Sequence, residues 1–157
     1  MAGTTLTWNI NASGFEATQR HLERLAHLDQ APLLARIGEY VRRTTQERFR
    51  TQTDHEGKPW QKLSEITKAR KQKNRDKILT ERGYLRQSIN WQLLPGGKAV
   101  AIGTPMIYGA VQQFGAKKHT LGPRTPWGDI PARPFLGLSE ADKTHILALV
   151  QRHLQPI

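Results

Sequence analysis

No cysteine occurs in the 157-residue chain. That excludes a disulfide framework, a thiolate zinc site and a cysteine nucleophile, and is compatible with a reducing compartment. Long apolar runs are absent as well; none approaches the roughly 20 residues that a membrane-crossing helix needs. Residues 1–11 alternate polar and apolar without a basic n-region, so no signal peptide is expected. The apolar fraction is low for a globular protein, 37 % hydrophobic against 24 % charged. The length still suits one domain, 1–157, with a real core. Arms or loops that order only against a partner would account for the apolar deficit.

Catalytic and cofactor patterns are also missing. His21 and His27, and His145 and His153, lack the tight helical spacing of zinc-protease ligands; His55 and His119 stand alone. Gly96-Gly97 reads as a hairpin turn, and the stretch between Gly103 and Gly109 has no phosphate-loop lysine. No serine-nucleophile motif is present. Asp54 with Glu56 reads as a solvated loop pair, and Glu140 with Asp142 as acids at a helix start. The expectation is a protein that is not an enzyme, with no catalytic, cofactor-binding or metal-ligating residues.

What the chain has in excess is positive charge, formally +11. Residues 58–86 carry ten Lys and Arg against Glu65, Asp76 and Glu81, so +7 of the total lies in one short stretch. Such a block is either a solvated face or a surface for nucleic acid or an acidic protein. Lys58, Lys62, Lys68, Arg70, Lys71 and Lys73 are the candidate contacts, with Trp60 among them, since interleaved basic and aromatic residues can stack nucleobases. The alternative for Trp60 is an indole that anchors its loop to the core, and that reading is favoured.

Periodicity predicts the elements. Leu6, Trp8 and Ile10 alternate as in a half-buried strand. Ser13-Gly14-Phe15-Glu16 is a capping box, followed by Phe15, Thr18, Leu22, Leu25 and Leu28 at helical spacing. Pro32 opens a long amphipathic helix through Leu33, Ile37, Tyr40, Val41, Thr44, Arg48 and Phe49. These two helices are expected to pair and cover a sheet. Residues 51–59 read as a polar loop, Ser64 as the cap of a short basic helix, and 51–80 as a basic mobile segment. Ile89, Trp91 and Leu93, then Val100 and Ile102, alternate about the turn Pro95-Gly96-Gly97, a hairpin near 87–103. Residues 108–115 read as a short helix ended by glycine, 116–129 as a Gly/Pro-rich loop, and about 140–153 as the last helix with Ile146, Leu149, Val150 and Leu154 inward. The fold class is α+β: a small antiparallel sheet, an N-terminal strand plus the hairpin, packed by two long N-terminal helices and a C-terminal helix.

The most informative stretch is Ile130-Pro131-Ala132-Arg133-Pro134-Phe135-Leu136-Gly137. Each proline lacks a backbone donor and holds its predecessor extended, so this is neither an interior strand nor a helix. Ser139 with Asp142 behind it reads as an N-cap and a first-turn acid. An extended arm bearing one arginine among apolar residues suits docking. Arg133 needs a carboxylate or carbonyl partner, within the chain or on a neighbouring subunit.

Four blocks in order resemble the phage virion morphogenesis family, the tail-completion proteins of Mu-like contractile-tailed phages. They are Phe49 with Gly57-Lys58-Pro59-Trp60-Gln61-Lys62-Leu63; the run from Leu79 through Thr80, Glu81, Arg82 and Gly83 to Ile89; Val100 to Thr104 with Tyr108 to Gly115; and the arm with its following helix. Gln112 stands where relatives commonly carry histidine, in a phrase His-Gln-Phe-Gly, and glutamine cannot titrate. The resemblance implies a structural, oligomeric protein of the neck, or head–tail junction, of the virion. It would assemble in the host cytoplasm as a homo-oligomeric ring around the DNA channel and act in tail completion and head–tail joining. Its partners would be other neck and tail proteins (a tail terminator, head-completion or connector proteins) and the DNA passing through, with no membrane. Arg133, Phe135, Leu136, Tyr108, Gln113 and Phe114 are then the expected subunit or partner contacts, and the basic residues the DNA or acidic-partner contacts. The alternative expectation is a sequence-tolerant nucleic-acid-binding protein using residues 58–86.

Overall fold

A computed structural model describes residues 13–120, 122 and 128–155. The elements run α1 (Ser13–Ala26), α2 (Ala31–Thr51), α3 (Glu65–Arg70), α4 (Tyr84–Ser88), β1 (Asn90–Leu93), β2 (Val100–Gly103), α5 (Gly109–Phe114) and α6 (Glu140–Leu154). The class is α+β, as the sequence pattern predicts. The strand expected over residues 6–10 lies outside the described residues, as do the side chains of the capping box expected at 13–16.

α2 is the element on which the others are laid. Pro32 sits in its first turn, where a missing N–H costs nothing, and the Asp29 carboxylate accepts the Ala31 N–H at 3.0 Å. Leu33, Gly38, Val41, Thr45, Arg48 and Phe49 recur at helical spacing and form its buried stripe. The helix stops at Gln52, which turns into the left-handed region (φ 58°) and returns its N–H to the Arg48 carbonyl at 2.7 Å.

β1 and β2 pair antiparallel, Trp91 opposite Ile102 and Leu93 opposite Val100. A lone hairpin is marginal in water; here α2 covers it. Trp91 lies against Gly38, so close that a Cβ there would stand 2.7 Å from the ring. α6 packs on α2 too. Its start has the full reciprocal capping box: the Asp142 N–H is donated to Ser139 Oγ, and the Ser139 N–H to Asp142 Oδ2. Ile146, Leu149 and Val150 are half-buried, while Leu154, expected inward, is exposed. Among the described residues of α1, Leu22 is 60 % exposed, and the most extensive packing on the hairpin comes from α2.

The core is small and assembled from distant segments: Phe49, Trp60, Ile78, Leu85, Ile89 and Phe135, with Leu63, Leu79, Ile102, Met106 and Leu136 around them. Phe49 meets Trp60 edge-on at 5.4 Å and Phe135 at 5.5 Å. Phe135 is 0 % exposed, and full burial of such a side chain contributes roughly 1.5–3 kcal/mol.

Gly38 supplies a test of this packing. Gly→Ala in an exposed helix interior gains up to about 1 kcal/mol. The Trp91 ring atoms at 2.7 and 2.8 Å and Val100 at 3.0 Å reverse that sign, because overpacking costs about 1–3 kcal/mol. Gly38→Ala is expected to lower the denaturation midpoint; a rise would show that the Trp91 ring moves aside freely.

Candidate functional site

The arm, residues 130–137, is docked on its own chain by side chains rather than by a strand ladder. Its two prolines leave few donors, and its partners come from α5, from Ala116 behind it and from Trp60 in the loop after α2. Ile130 exchanges both backbone bonds with Ala116 (2.7 and 2.9 Å), and the Arg133 N–H goes to the Gln112 carbonyl at 2.7 Å. The Gln113 amide acts as a three-point clip. Its Oε1 accepts the N–H groups of Phe135 and Leu136 (3.0 Å each), and its Nε2 donates to the Leu136 carbonyl at 3.1 Å. Trp60 Nε1 donates to the Pro134 carbonyl at 2.8 Å. Gly115 makes the approach possible: φ is 75°, and a Cβ would meet the Ile130 carbonyl oxygen at 2.7 Å.

Below the arm, Arg48 joins three segments. Nη1 donates to the carbonyls of Phe135 (2.9 Å) and Gly137 (2.8 Å), and Nη2 to Asp142 Oδ2 at 2.9 Å. Tyr40 donates its hydroxyl to Asp142 Oδ1 at 2.9 Å and stacks on His145 with ring centroids 4.1 Å apart. Both ions are buried. Burial alone would raise the Asp142 carboxyl, but the Ser139 amide and hydroxyl, Tyr40 and Arg48 outweigh it and hold it below its usual 3.8. Arg48 is lowered by burial, Asp142 offsetting only part. This pair escapes a reading of the sequence. The one signal is Arg48 itself, a charged residue on the apolar stripe of α2.

The expected subunit contacts separate into two groups. Arg133, Phe135 and Gln113 face inward, so the arm lies docked on its own chain. Arg133 is buried and donates Nε to the Gln61 carbonyl (2.8 Å) and Nη2 to the Lys62 carbonyl (3.2 Å), so its partner lies within the chain. Phe135 fills the core, and Leu136 is half-buried against it. Tyr108 and Phe114 face outward at the two ends of α5, and Ile107 beside them is almost fully exposed.

The basic candidates divide as well. Lys58, Lys62, Arg70 and Lys73 are exposed, and Lys68 pairs with Glu65 at 2.7 Å. Trp60 is in the core and has no face free to stack a base. Lys71 is turned inward. Its ammonium is buried and donates to the carbonyls of Asn74 (2.8 Å), Lys77 (2.5 Å) and Thr80 (2.7 Å), folding residues 71–80 around itself. Burial lowers its pKa, with Glu81 and Asp76 acting the other way.

Between α3, residues 79–85, α5 and residues 128–133 runs a groove of about 900 Å3. Tyr84, Tyr108 and Ile66 give it apolar walls; Gln112, the position of departure from the family phrase, also lines it. Among the described residues no cluster of His, Asp and Glu could hold a metal ion, and no helix is long and apolar enough to cross a membrane.

Two expectations follow. Asp142 titrates lower in the folded chain than in the unfolded one, so its contribution is complete above pH 3.8 and lost as pH falls through the lower folded value. Asp142→Asn strands the Arg48 charge and should cost about 3–5 kcal/mol at neutral pH, with the gap to the parent narrowing below pH 4 in denaturant titrations. Arg133→Gln removes a buried cation held only by carbonyls. Its stability loss is expected to be smaller than that of Asp142→Asn in the same titrations; an equal or larger loss would make Arg133 the more important bond.

Residues 13–155 match a family model, that of the phage virion morphogenesis family. No curated protein and no solved structure matches the chain.

Proposed function

The chain belongs to the phage virion morphogenesis family, and on that premise we propose that it is a non-enzymatic structural part of the head–tail junction. It acts there in tail completion and head–tail joining, as a ring around the DNA channel assembled in the host cytoplasm. A part in building the virion comes with the family; the junction, the ring and the partners on either side are inferred.

The observation that carries the inference is the surface around α5. Ile107 is 96 % exposed and Phe114 79 %, at opposite ends of a helix whose Gln113 is spent on the arm. Large apolar side chains left outside on a chain poor in them mark contact surface rather than core. A separate apolar stripe lies on α6, where exposed Leu147 and Leu154 are seven residues apart and share one face. Two unlike surfaces on one subunit meet head to tail, the contact that closes into rings. The exposed Lys58, Lys62, Arg70 and Lys73 supply positive charge for the DNA of the channel or for acidic neighbours. The alternative, a sequence-tolerant nucleic-acid-binding protein, retains those four residues but has lost Trp60 and Lys71 to the interior. What remains is a backbone contact without stacking.

Imaging of purified virions at residue resolution should find this chain as a closed ring at the neck, and its gene deletion should leave heads and tails unjoined. A protein absent from virions, with normal particles after deletion, would sink the reading. Tight DNA binding by the isolated chain that falls steeply with salt, without any assembly defect in Lys58, Lys62, Arg70 and Lys73→Gln variants, would favour the alternative.

A further inference from the structure

The groove beside α5 contains more positive charge than the chain neutralises. Five cations line it against two carboxylates, Glu81 and Asp129. Both carboxylates are engaged: Asp129 pairs with Lys117 and accepts the Lys118 N–H, and Glu81 accepts the Gln72 N–H. Two of the cations, Lys71 and Arg133, are buried and bonded only to backbone carbonyls, with no carboxylate at ion-pair distance among the described residues. Buried charges are ordinarily paired. The side chains of Lys62, Arg70 and Arg82 at the rim have no partner among the described residues either.

The apolar side of the groove narrows the occupant. Ile66 is 67 % exposed on α3, a helix with no buried residue of its own, and the two tyrosines stand half out of the surface around the same space. These exposed side chains offer an apolar contact that a polypeptide side chain can fill and a phosphodiester backbone cannot. A second copy of this chain is less suited, because it is itself strongly basic, formally +11, and like charge would meet like charge at the rim.

We propose that this groove is the docking site for an acidic segment of another virion protein, which sets carboxylates against the Lys62, Arg70 and Arg82 rim and an aliphatic or aromatic side chain against Ile66, Tyr84 and Tyr108. The proposal rests on the structural reading above and names the chemistry of one neighbour. Charge steers the segment in, and the apolar anchor holds it.

The test is site-specific photo-cross-linking in assembling phage. A benzophenone amino acid replaces Ile66, and in a control replaces Leu147 on the far stripe of α6. The expected adduct at 66 is a peptide of a different virion protein, with net negative charge and an apolar residue at the cross-link. Arg70→Glu combined with Arg82→Glu should cut its yield by about tenfold or more, while the purified variant keeps the parent's denaturation midpoint. An adduct with DNA, with a second copy, or with a neutral or basic segment would overturn the proposal, and so would no adduct at 66. Absence of the chain from the particle is failure of the neck reading; presence there with any other adduct is failure of this one alone.

Discussion

The Arg48–Asp142 pair is the interaction on which the arrangement depends, because it is where α2, the arm and the start of α6 meet. Neither ion could be buried alone: the cost of desolvating each is several kcal/mol. Both are hydrogen-bonded instead, Arg48 to two arm carbonyls and a carboxylate, Asp142 to Ser139, Tyr40 and Arg48. A pair so placed adds little net stability over an apolar replacement, yet losing one member is severe. Its value here is in register. Each Arg48 donor has a single correct acceptor, so the arm cannot slide along α2 without leaving one unpaired.

Polar side chains elsewhere extend the same strategy. The chain is short of apolar residues, and its core is correspondingly small. Gln113, Trp60, Arg133 and Lys71 make up the difference by collecting backbone carbonyls and amides from segments with no regular structure. Residues 71–80 and 130–137 are thereby held in place by side-chain hydrogen bonds without regular secondary structure. The surface keeps the large apolar side chains that this economy of the interior leaves over, around α5 and along α6.

What was legible in the sequence was whatever repeats locally. The stripe of α2, the alternation of the hairpin, the glycine stop after α5 and the Ser139 cap all depend on neighbours within a few residues. Trp60 as a loop anchor was readable too, since its polar loop needed something to hold it. The pairing of Arg48 with Asp142 was not, because their 94-residue separation leaves no local trace. Lys71 looked like one more member of a basic run; only the curl of residues 74–80 turns it inward. Gln113 in a short helix reads as an ordinary polar position, and its role as clip appears only once the arm lies beside it. Arg133 was correctly singled out as needing a partner, but the choice between carbonyl and carboxylate belonged to tertiary structure.

The Ala116–Ile130 bridge has a consequence for how such a chain can diversify. It pins together the two ends of the connection between α5 and the arm, and every bond that positions the arm lies on the far side of it. Changing the number of residues between 117 and 129 therefore leaves the clip, the core and the ion pair where they are. Doubling the length of a connection costs only about 0.6 kcal/mol in closure entropy. This is the natural place for the chain to gain or lose sequence, and for an inserted tag or a second recognition element, without refolding what carries it.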